Sequence, residues 1–279
     1  MWLLKLVSYL PLSVLFRFSD FLYFVVYRVV GYRKKMVRKN LINSFPEKTE
    51  QERIAIEKAY YKNLCDYGVE TIKLLTIDLD ELKTRMRYLN PEVINQYYAK
   101  NTPVILLYSH YFNWEWLGLS GCMWLDAGID FIYQPVKNSL INNLLLAIRM
   151  RLNAYPIERN NTAREMIRRK DIVRGTLLIA DQFPGQGGDK RFYLNFLNQN
   201  TAFFYACQQI PIMTQYPAIY HAIKKIKRGY YTCELIEVGK PPYASTDESV
   251  IRGYAREVEK SIRQDPTLWL WSHNRWKNR

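Results

Sequence analysis

The chain contains 279 residues, of which 48% are hydrophobic, and its 40 Lys and Arg residues outnumber its 26 Asp and Glu residues to give a formal net charge of +14. This apolar content excludes a disordered or histone-like polyelectrolyte, which has too few apolar residues to offset the conformational entropy lost on folding. The positive charge indicates a polyanionic partner, and charge alone leaves open nucleic acid, an anionic membrane surface, a phosphorylated substrate and an acidic protein.

The N-terminal segment, residues 1–31, is the most apolar part of the chain. Residues 1–16 are apolar apart from one lysine and two serines, and a second apolar run covers 21–30. Pro11 and three charged residues interrupt the roughly 20 apolar residues that a spanning helix needs. We therefore predict a membrane anchor, either one imperfect span or two interfacial helices, with an apolar helix packed on the domain as the alternative. The basic cluster at 33–39 places the rest of the chain on the cytoplasmic side.

Residues 32–279 are expected to form one domain in which helices and strands alternate. The predicted helices cover about 49–82, 113–127, 139–152, 163–174, 201–209 and 248–265. The predicted strands cover about 103–108, 129–134, 155–157, 175–180, 211–218 and 230–238. This alternation predicts a single-domain α/β sandwich with a mostly parallel central sheet flanked by helices. The chemistry of such sheets gathers at the carboxyl ends of the strands.

A histidine and a glutamate follow the first buried strand. His110 and Glu115 are five residues apart, so on one continuous helix they would lie roughly 140° apart and could not meet. If Asn113 caps the following helix, Glu115 lies in its first turn and can turn back toward the imidazole. The pattern predicts a general base, His110, oriented by Glu115, and the alternative is a surface or capping histidine.

The next two strand ends also carry polar side chains. Arg159 and Asn160 follow the strand at 155–157, and Asp181 and Gln182 follow the strand at 175–180. Arg159 is a candidate ligand for a phosphate or an oxyanion, because guanidinium donors match charged oxygens. Asp181 is expected to orient Arg159 or to bind substrate. The alternatives are an ordinary surface arginine and a capping aspartate.

Other residues suggest no further chemistry. His221 is predicted to lie at the surface before a charged loop at 222–228, and His273 is predicted to be a packed histidine. The four cysteines are far apart, which favours reduced thiols, and three histidines in all leave almost no ligands for a metal. The glycine-rich stretch 185–188 lacks the features of a P-loop or a dinucleotide fingerprint. We predict no metal and no cofactor.

Several of these motifs resemble one known family. The motifs are Ser109-His110-x4-Glu115, Arg159-Asn160-Asn161, Ala180-Asp181-Gln182, the basic segment before Phe45-Pro46, and the ending Leu270-Trp-Ser-His-Asn-Arg-Trp-Lys277. Together they are similar to the late acyltransferases of lipid A biosynthesis, within the lysophospholipid acyltransferase superfamily, and the resemblance runs from the anchor to the C-terminus. The ending reads Ser-His-Asn-Arg where His-Arg-Arg is usual, which leaves the acceptor open.

The resemblance implies transfer of a fatty acyl chain from an acyl-carrier-protein thioester to a hydroxyl of a lipid A precursor. Six residues are expected at the site, with His110 as base, Glu115 orienting it, and Arg159, Asn160, Asp181 and Gln182 around the substrate. The expected partners are acyl carrier protein, a phosphorylated glycolipid and an anionic membrane surface, without nucleic acid. The expected state is a monomer at the bacterial inner membrane, with the catalytic domain on the cytoplasmic side.

Three alternatives to this function remain open at the level of sequence. The same reaction could act on another acceptor, namely a lysophospholipid, an aminolipid or a different glycolipid. A nucleic-acid-binding protein would use the Lys and Arg clusters for phosphate contacts, although no known nucleic-acid motif accompanies them. In a non-catalytic membrane-surface scaffold, the polar strand ends would be a coincidence.

Overall fold

A computed structural model describes residues 2–184 and 190–277, so the glycine-rich stretch 185–188 lies outside the described residues. The helices are α1 (Trp2–Ser8), α2 (Leu12–Tyr23), α3 (Lys34–Ser44), α4 (Glu50–Lys73), α5 (Leu79–Arg85), α6 (Glu92–Tyr98), α7 (Trp114–Trp124), α8 (Ser139–Arg149), α9 (Thr162–Arg168), α10 (Ala206–Thr214) and α11 (Ser249–Gln264). The strands are β1 (Met86–Tyr88), β2 (Val104–Tyr108), β3 (Ile129–Tyr133), β4 (Ala154–Glu158), β5 (Gly175–Ile179), β6 (Arg191–Phe196), β7 (Gln199–Phe204), β8 (Ala218–Lys227) and β9 (Tyr230–Gly239).

The core of the fold is a seven-stranded sheet in the order β1-β9-β8-β2-β5-β3-β4. Every neighbouring pair is parallel except β8 and β9, which form an antiparallel hairpin. Strands β2 and β5 are buried nearly throughout, as expected for continuous apolar runs covered on both faces. The predicted α/β architecture with a mostly parallel central sheet flanked by helices is confirmed.

The sheet opens between β3 and β5 toward their carboxyl ends. The two strands pair only from Ile129 with Gly175 to Phe131 with Leu177. By contrast, β3 stays paired with β4 to its last residue, Tyr133, and β5 stays paired with β2 to its last residue, Ile179. The carboxyl halves of β3 and β5 therefore diverge and leave a crevice, which is where open α/β sheets bind ligands.

The N-terminal helices are held on the body of the domain by buried polar contacts. Ser19 Oγ lies 2.7 Å from Asp66 Oδ1 on α4, and the Arg228 guanidinium in the β8–β9 turn binds both Asp66 and Asp20. The Lys73 ammonium donates to the carbonyls of Ser8 and Leu10 at 3.1 Å each. These bonds join the N-terminal segment, residues 1–31, to the remainder of the chain.

The outer face of the same helices is apolar and exposed. Its large exposed side chains are Trp2, Leu3, Leu6, Tyr9, Leu10, Val14, Phe18, Phe21, Phe24, Val29 and Val30. Among the described residues, none of the helices reaches by itself the length and apolar composition that a bilayer span requires. Only α1 taken together with the helix that continues from Leu12 to Val30 does so, and the two are bent by 116°. The anchoring role of this segment stays a prediction.

Two predicted elements near the C-terminal half are wrong. The helix predicted at 201–209 is replaced by β7 and the start of α10, because the β-branched and aromatic run Thr201-Ala-Phe-Phe204 pairs with β6 in an antiparallel hairpin. The strand predicted at 211–218 is instead helical to Thr214, with Pro211 inside α10. The charged loop predicted at 222–228 belongs mostly to β8, whose outer residues carry the lysines.

Candidate active site

The candidate site lies where the carboxyl ends of four parallel strands meet. His110 follows β2, Gln134 follows β3, Arg159 follows β4, and Gln182 follows β5. These four side chains line the polar part of one cavity of about 540 Å³. The volume lies within the range of about 300–1,000 Å³ that is typical of small-molecule sites.

His110 is paired with Asp181 at the base of this cavity. Its ring nitrogen Nδ1 lies 2.7 Å from Asp181 Oδ1, and its backbone N–H donates to Asp181 Oδ2 at 3.0 Å. The pairing follows from strand register: Tyr108 is opposite Ile179, so the residues two positions further along each strand lie side by side. A carboxylate on Nδ1 holds the ring proton there and leaves Nε2 to accept a proton from a substrate.

Asp181 is buried and carries three hydrogen bonds. Trp269 Nε1 donates to Asp181 Oδ2 at 2.8 Å, in addition to the two bonds from His110. Burial raises the pKa of Asp181, but the adjacent His110 ring and the three hydrogen bonds outweigh it and hold that pKa below its ordinary value. The carboxylate is therefore ionised whenever the site is folded at neutral pH, and it can stabilise an imidazolium on His110.

The C-terminal segment, residues 268–273, holds the loop that carries His110. Phe112 N–H donates to the Leu268 carbonyl at 2.9 Å, and Leu270 N–H donates to the His110 carbonyl at 3.1 Å. Tyr111 and Trp269 form an isolated antiparallel bridge between these bonds. Sequence analysis missed Trp269 as a site residue, although the family-like aromatic ending contained the signal.

Glu115 occupies a different place from the one predicted. It lies in the first turn of α7, and Asn113 caps that helix by accepting from Trp116 N–H, as expected. However, Glu115 is paired through both oxygens with Arg149 of α8, with Arg149 Nε at 2.9 Å from Oε2. Among the described residues no hydrogen bond joins it to His110. The structure therefore corrects the predicted dyad, because His110 is hydrogen-bonded to Asp181 while Glu115 forms an ion pair with the half-buried Arg149 guanidinium.

The remaining predicted site residues have three different placements. Arg159 and Gln182 line the cavity, and Arg159 Nη1 lies 3.4 Å from Gln134 Oε1 with its guanidinium 5.2 Å from the Phe204 ring centroid. Asn160 is exposed and is not among the residues that line the cavity. Asp181 neither faces solvent nor bonds Arg159 in the contacts described, and its partner is His110.

Of the two other histidines, His221 is buried and His273 is half-buried. The prediction of a surface position for His221 is wrong: it lies on the inner face of β8, 1% exposed, where burial lowers its pKa to about 3. His273 is packed, as predicted, and its Nε2 accepts from the Phe183 N–H at 3.3 Å. Because Phe183 closely follows Asp181, a neutral His273 helps to fix the loop that carries this aspartate. Burial, followed by the positive charge that His110 can carry, lowers the pKa of His273 to about 4.

A buried glutamate, Glu70, supports the start of α7 from below. Its Oε2 accepts from Asn113 Nδ2 at 2.8 Å and from the Tyr231 hydroxyl at 2.9 Å, while its backbone carbonyl accepts from Trp116 Nε1 at 2.8 Å. Burial and the negative charge of Asp66 raise the pKa of Glu70 to about 7. Below neutral pH, a largely protonated carboxyl group thus lies beneath the start of α7.

From the raised pKa of Glu70 we expect the free energy of unfolding to fall as the pH rises from weakly acidic to neutral. The unfolded chain ionises this group near its ordinary pKa of 4.5, whereas the folded chain retains the proton to about 7. The stabilisation that the protonated Glu70 carboxyl gives the folded chain is fully present below pH 4.5 and is lost as the pH rises to about 7. Glu70→Gln should flatten this dependence by at most about 3 kcal/mol, as measured by urea unfolding across that pH window. A dependence equal to that of the wild type would contradict the assignment.

Beyond its polar edge the cavity is lined mainly by apolar side chains. They are Tyr108, Leu119, Ile129, Phe131, Ile132, Leu145, Ala154, Leu177, Leu178, Ile179, Phe204, Cys207 and Ile210. A histidine–carboxylate pair at a polar edge, together with an apolar interior, fits a substrate that joins a reacting polar group to a hydrocarbon chain.

A comparison with protein-family models gives a match over residues 1–278 to the family described as bacterial lipid A biosynthesis acyltransferase. The chain belongs to this family. It is therefore an acyltransferase of the lipid A biosynthesis type, and the resemblance seen in the sequence motifs is confirmed. A comparison with curated individual proteins gives no match.

Membership of an enzyme family sets aside the non-catalytic scaffold as an explanation of the polar strand ends. The acyltransferase also carries no group of three or more His, Cys, Asp or Glu side chains that could hold a metal ion within residues 2–184 and 190–277.

Proposed function

We propose that the protein transfers a fatty acyl chain from an acyl-carrier-protein thioester to a hydroxyl of a lipid A precursor, with His110 as general base. The observation that carries this proposal is the His110–Asp181 pair at the polar edge of an otherwise apolar cavity. A hydroxyl is a weak nucleophile, so a positioned base accelerates its attack by about 10²–10⁴.

The proposed step balances without a cofactor. His110 Nε2 takes the hydroxyl proton as the oxygen attacks the thioester carbonyl carbon, and a tetrahedral oxyanion forms. As the oxyanion collapses, the carbon–sulfur bond breaks, the new ester remains on the glycolipid, and the carrier thiolate receives the proton from the imidazolium. Asp181 stabilises that imidazolium and keeps its Nδ1 protonated throughout.

Two arginines at the cavity are suited to the charged oxygens of this reaction. Arg159 lies at the polar edge beside Gln134, and Arg149 lies deeper and is paired with Glu115. We propose that Arg159 binds either the oxyanion or an acceptor phosphate, since both present oxygens to the same rigid fork of donors. An electrostatic donor to an oxyanion is worth about 3–4 kcal/mol.

The surface of the protein supports a membrane-bound acceptor and an acidic donor protein. Exposed apolar side chains cover the outer face of the N-terminal helices, and the basic segment 33–39 follows them directly. We propose that this combination holds the enzyme at an anionic bilayer, on its cytoplasmic side. The overall charge of +14 also favours association with an acidic carrier protein.

The proposal is tested by supplying the purified full-length chain with acyl carrier protein charged with a fatty acid and a lipid A precursor in mixed micelles. Mass spectrometry should show one added acyl group on the precursor. Mass spectrometry of membrane lipids with and without the gene product tests the acceptor independently. An unchanged lipid A with a different lipid altered would transfer the activity to a lysophospholipid, an aminolipid or another glycolipid.

A further inference from the structure

The residues that line the cavity come from both faces of the central sheet, and the part of the cavity on each face is here called an arm. Side chains alternate along a strand, so Ile129 and Phe131 of β3 share one face whereas Ile132 lies on the other. The first face is the α7 and α8 side, because the Arg149 guanidinium lies 5.6 Å from the Phe131 ring centroid. The crevice between β3 and β5 lets both arms communicate with the polar edge.

Helix α7 forms one wall of the first arm with a stripe of four residues. Trp114 and Glu115 lie in the first turn, and Gly118 and Leu119 lie one turn further along, so that all four point to the same side of the helix. The His110 ring packs edge-on against Trp114 with centroids 5.1 Å apart. The first arm, called the α7 arm, therefore has Gly118 in its wall one helical turn beyond Trp114, the residue against which His110 packs.

Gly118 leaves space in this wall that the packing of the fold does not require. A Cβ placed on Gly118 would have no heavy atom of the described residues within 4 Å. Three residues later in the same helix the situation is the opposite, since a Cβ on Gly121 would lie 2.9 Å from Ile129 Cδ1 and 3.0 Å from the Tyr88 hydroxyl. Close packing among the described residues therefore requires glycine at position 121 but not at position 118.

We propose that Gly118 is a specificity-determining residue that keeps the α7 arm open for the hydrocarbon end of the donor acyl chain. This inference rests on the proposed acyl transfer. The occupant is an unbranched hydrocarbon chain, because Leu119, Ile129 and Phe131, which line the same cavity as Gly118, are apolar. A side chain at position 118 takes up the volume into which the distal methylenes of a long chain extend.

The test compares Gly118→Leu and Gly118→Ala with the wild type, using carrier-protein thioesters of decanoyl, lauroyl, myristoyl and palmitoyl chains and a lipid A precursor as acceptor. Gly118→Leu should lower kcat/KM for the longer chains relative to the shorter ones by about 10-fold or more, as methylenes in a filled pocket are rejected by that order. Gly118→Ala should shift the same ratio in the same direction by less, and its fold is favoured by helix propensity.

Gly68 offers a matched control. It lies inside α4, is exposed, and likewise has no described heavy atom within 4 Å of an added Cβ, but it does not line the cavity. Gly68→Leu should leave the ratio between chain lengths unchanged. If Gly118→Leu and Gly118→Ala both retain the wild-type ratio, or lower all chain lengths equally, the role assigned to Gly118 is overturned.

A second readout separates this inference from the proposed function. Binding of free lauric and palmitic acid to each variant, measured by calorimetry, needs no turnover and no acceptor. Selective loss of palmitic acid binding in Gly118→Leu would support the arm as a hydrocarbon site even if the wild type failed to transfer acyl groups to lipid A. Equal binding of palmitic acid by Gly118→Leu and wild type would overturn it while transfer by the wild type stood.

Discussion

Replacing His110 by alanine is expected to lower acyl transfer by about 10²–10⁴, because the substitution removes the base that accepts the hydroxyl proton. The loss should appear in kcat rather than in KM, since the ring acts on the reacting atoms and contributes little to holding the hydrocarbon chain. Turnover is measured with a carrier-protein thioester and a lipid A precursor, on protein whose melting temperature and vesicle binding match those of the wild type.

Chemical rescue gives this first prediction a sharper form. Removal of the ring leaves a space beside Trp114 that is open to the cavity, so added imidazole should restore part of the activity of His110→Ala. The restored rate should rise with the neutral fraction of imidazole. Near-wild-type turnover of the variant without imidazole would show that another group removes the proton.

Replacing Asp181 by asparagine is expected to lower kcat by up to about 10⁴, which is the loss found when an orienting aspartate is exchanged for its amide. The asparagine amide group would donate to His110 Nδ1 where the carboxylate accepts from it. Such a bond favours the tautomer with the proton on Nε2, the nitrogen that has to act as base. The pH–rate profile should therefore change in shape as well as in height.

A structural aspartate supplies the control for this second prediction. Asp130 on β3 is buried and paired with Arg169 and Arg174, at 2.8 Å and 2.6 Å, without contact to His110. Asp130→Asn should lower the melting temperature by leaving two guanidinium groups uncompensated, yet keep the shape of the pH–rate profile. If Asp181→Asn behaved in the same way as Asp130→Asn, Asp181 would be a structural residue only.

The sequence predicted the strand ends correctly but not the pairing between them. His110 and Asp181 were both placed after buried strands, and the alternation of helices and strands led to a parallel sheet. Which strands are neighbours depends on long-range packing. Strand β2 lies beside β5 although 66 residues lie between Tyr108, the last residue of β2, and Gly175, the first residue of β5. Spacing along the chain therefore favoured the nearer carboxylate, Glu115. Local distance in sequence was the wrong guide to distance in the fold.

At two further residues the tertiary structure determines a position that the local sequence pattern does not predict. His221 precedes a run of lysines, which resembles a solvated loop, but strand alternation turns its ring inward against Tyr108 and Tyr88. Trp269 lies 88 residues beyond Asp181, and no periodicity connects the two. The resemblance to the family covered this ending, yet only the folded chain shows that the indole of Trp269 donates to the carboxylate of Asp181.

Residues 268–273 brace the loop that carries His110, and this has a consequence for the biosynthesis of the enzyme. Chains are synthesised from the N-terminus, so the apolar helices α1 and α2 emerge well before the segment that binds Asp181, His110 and Phe112. A chain interrupted before residue 268 presents the exposed apolar N-terminal surface without a braced base. The loop that carries His110 is thus braced only after the surface proposed to meet the membrane has been made.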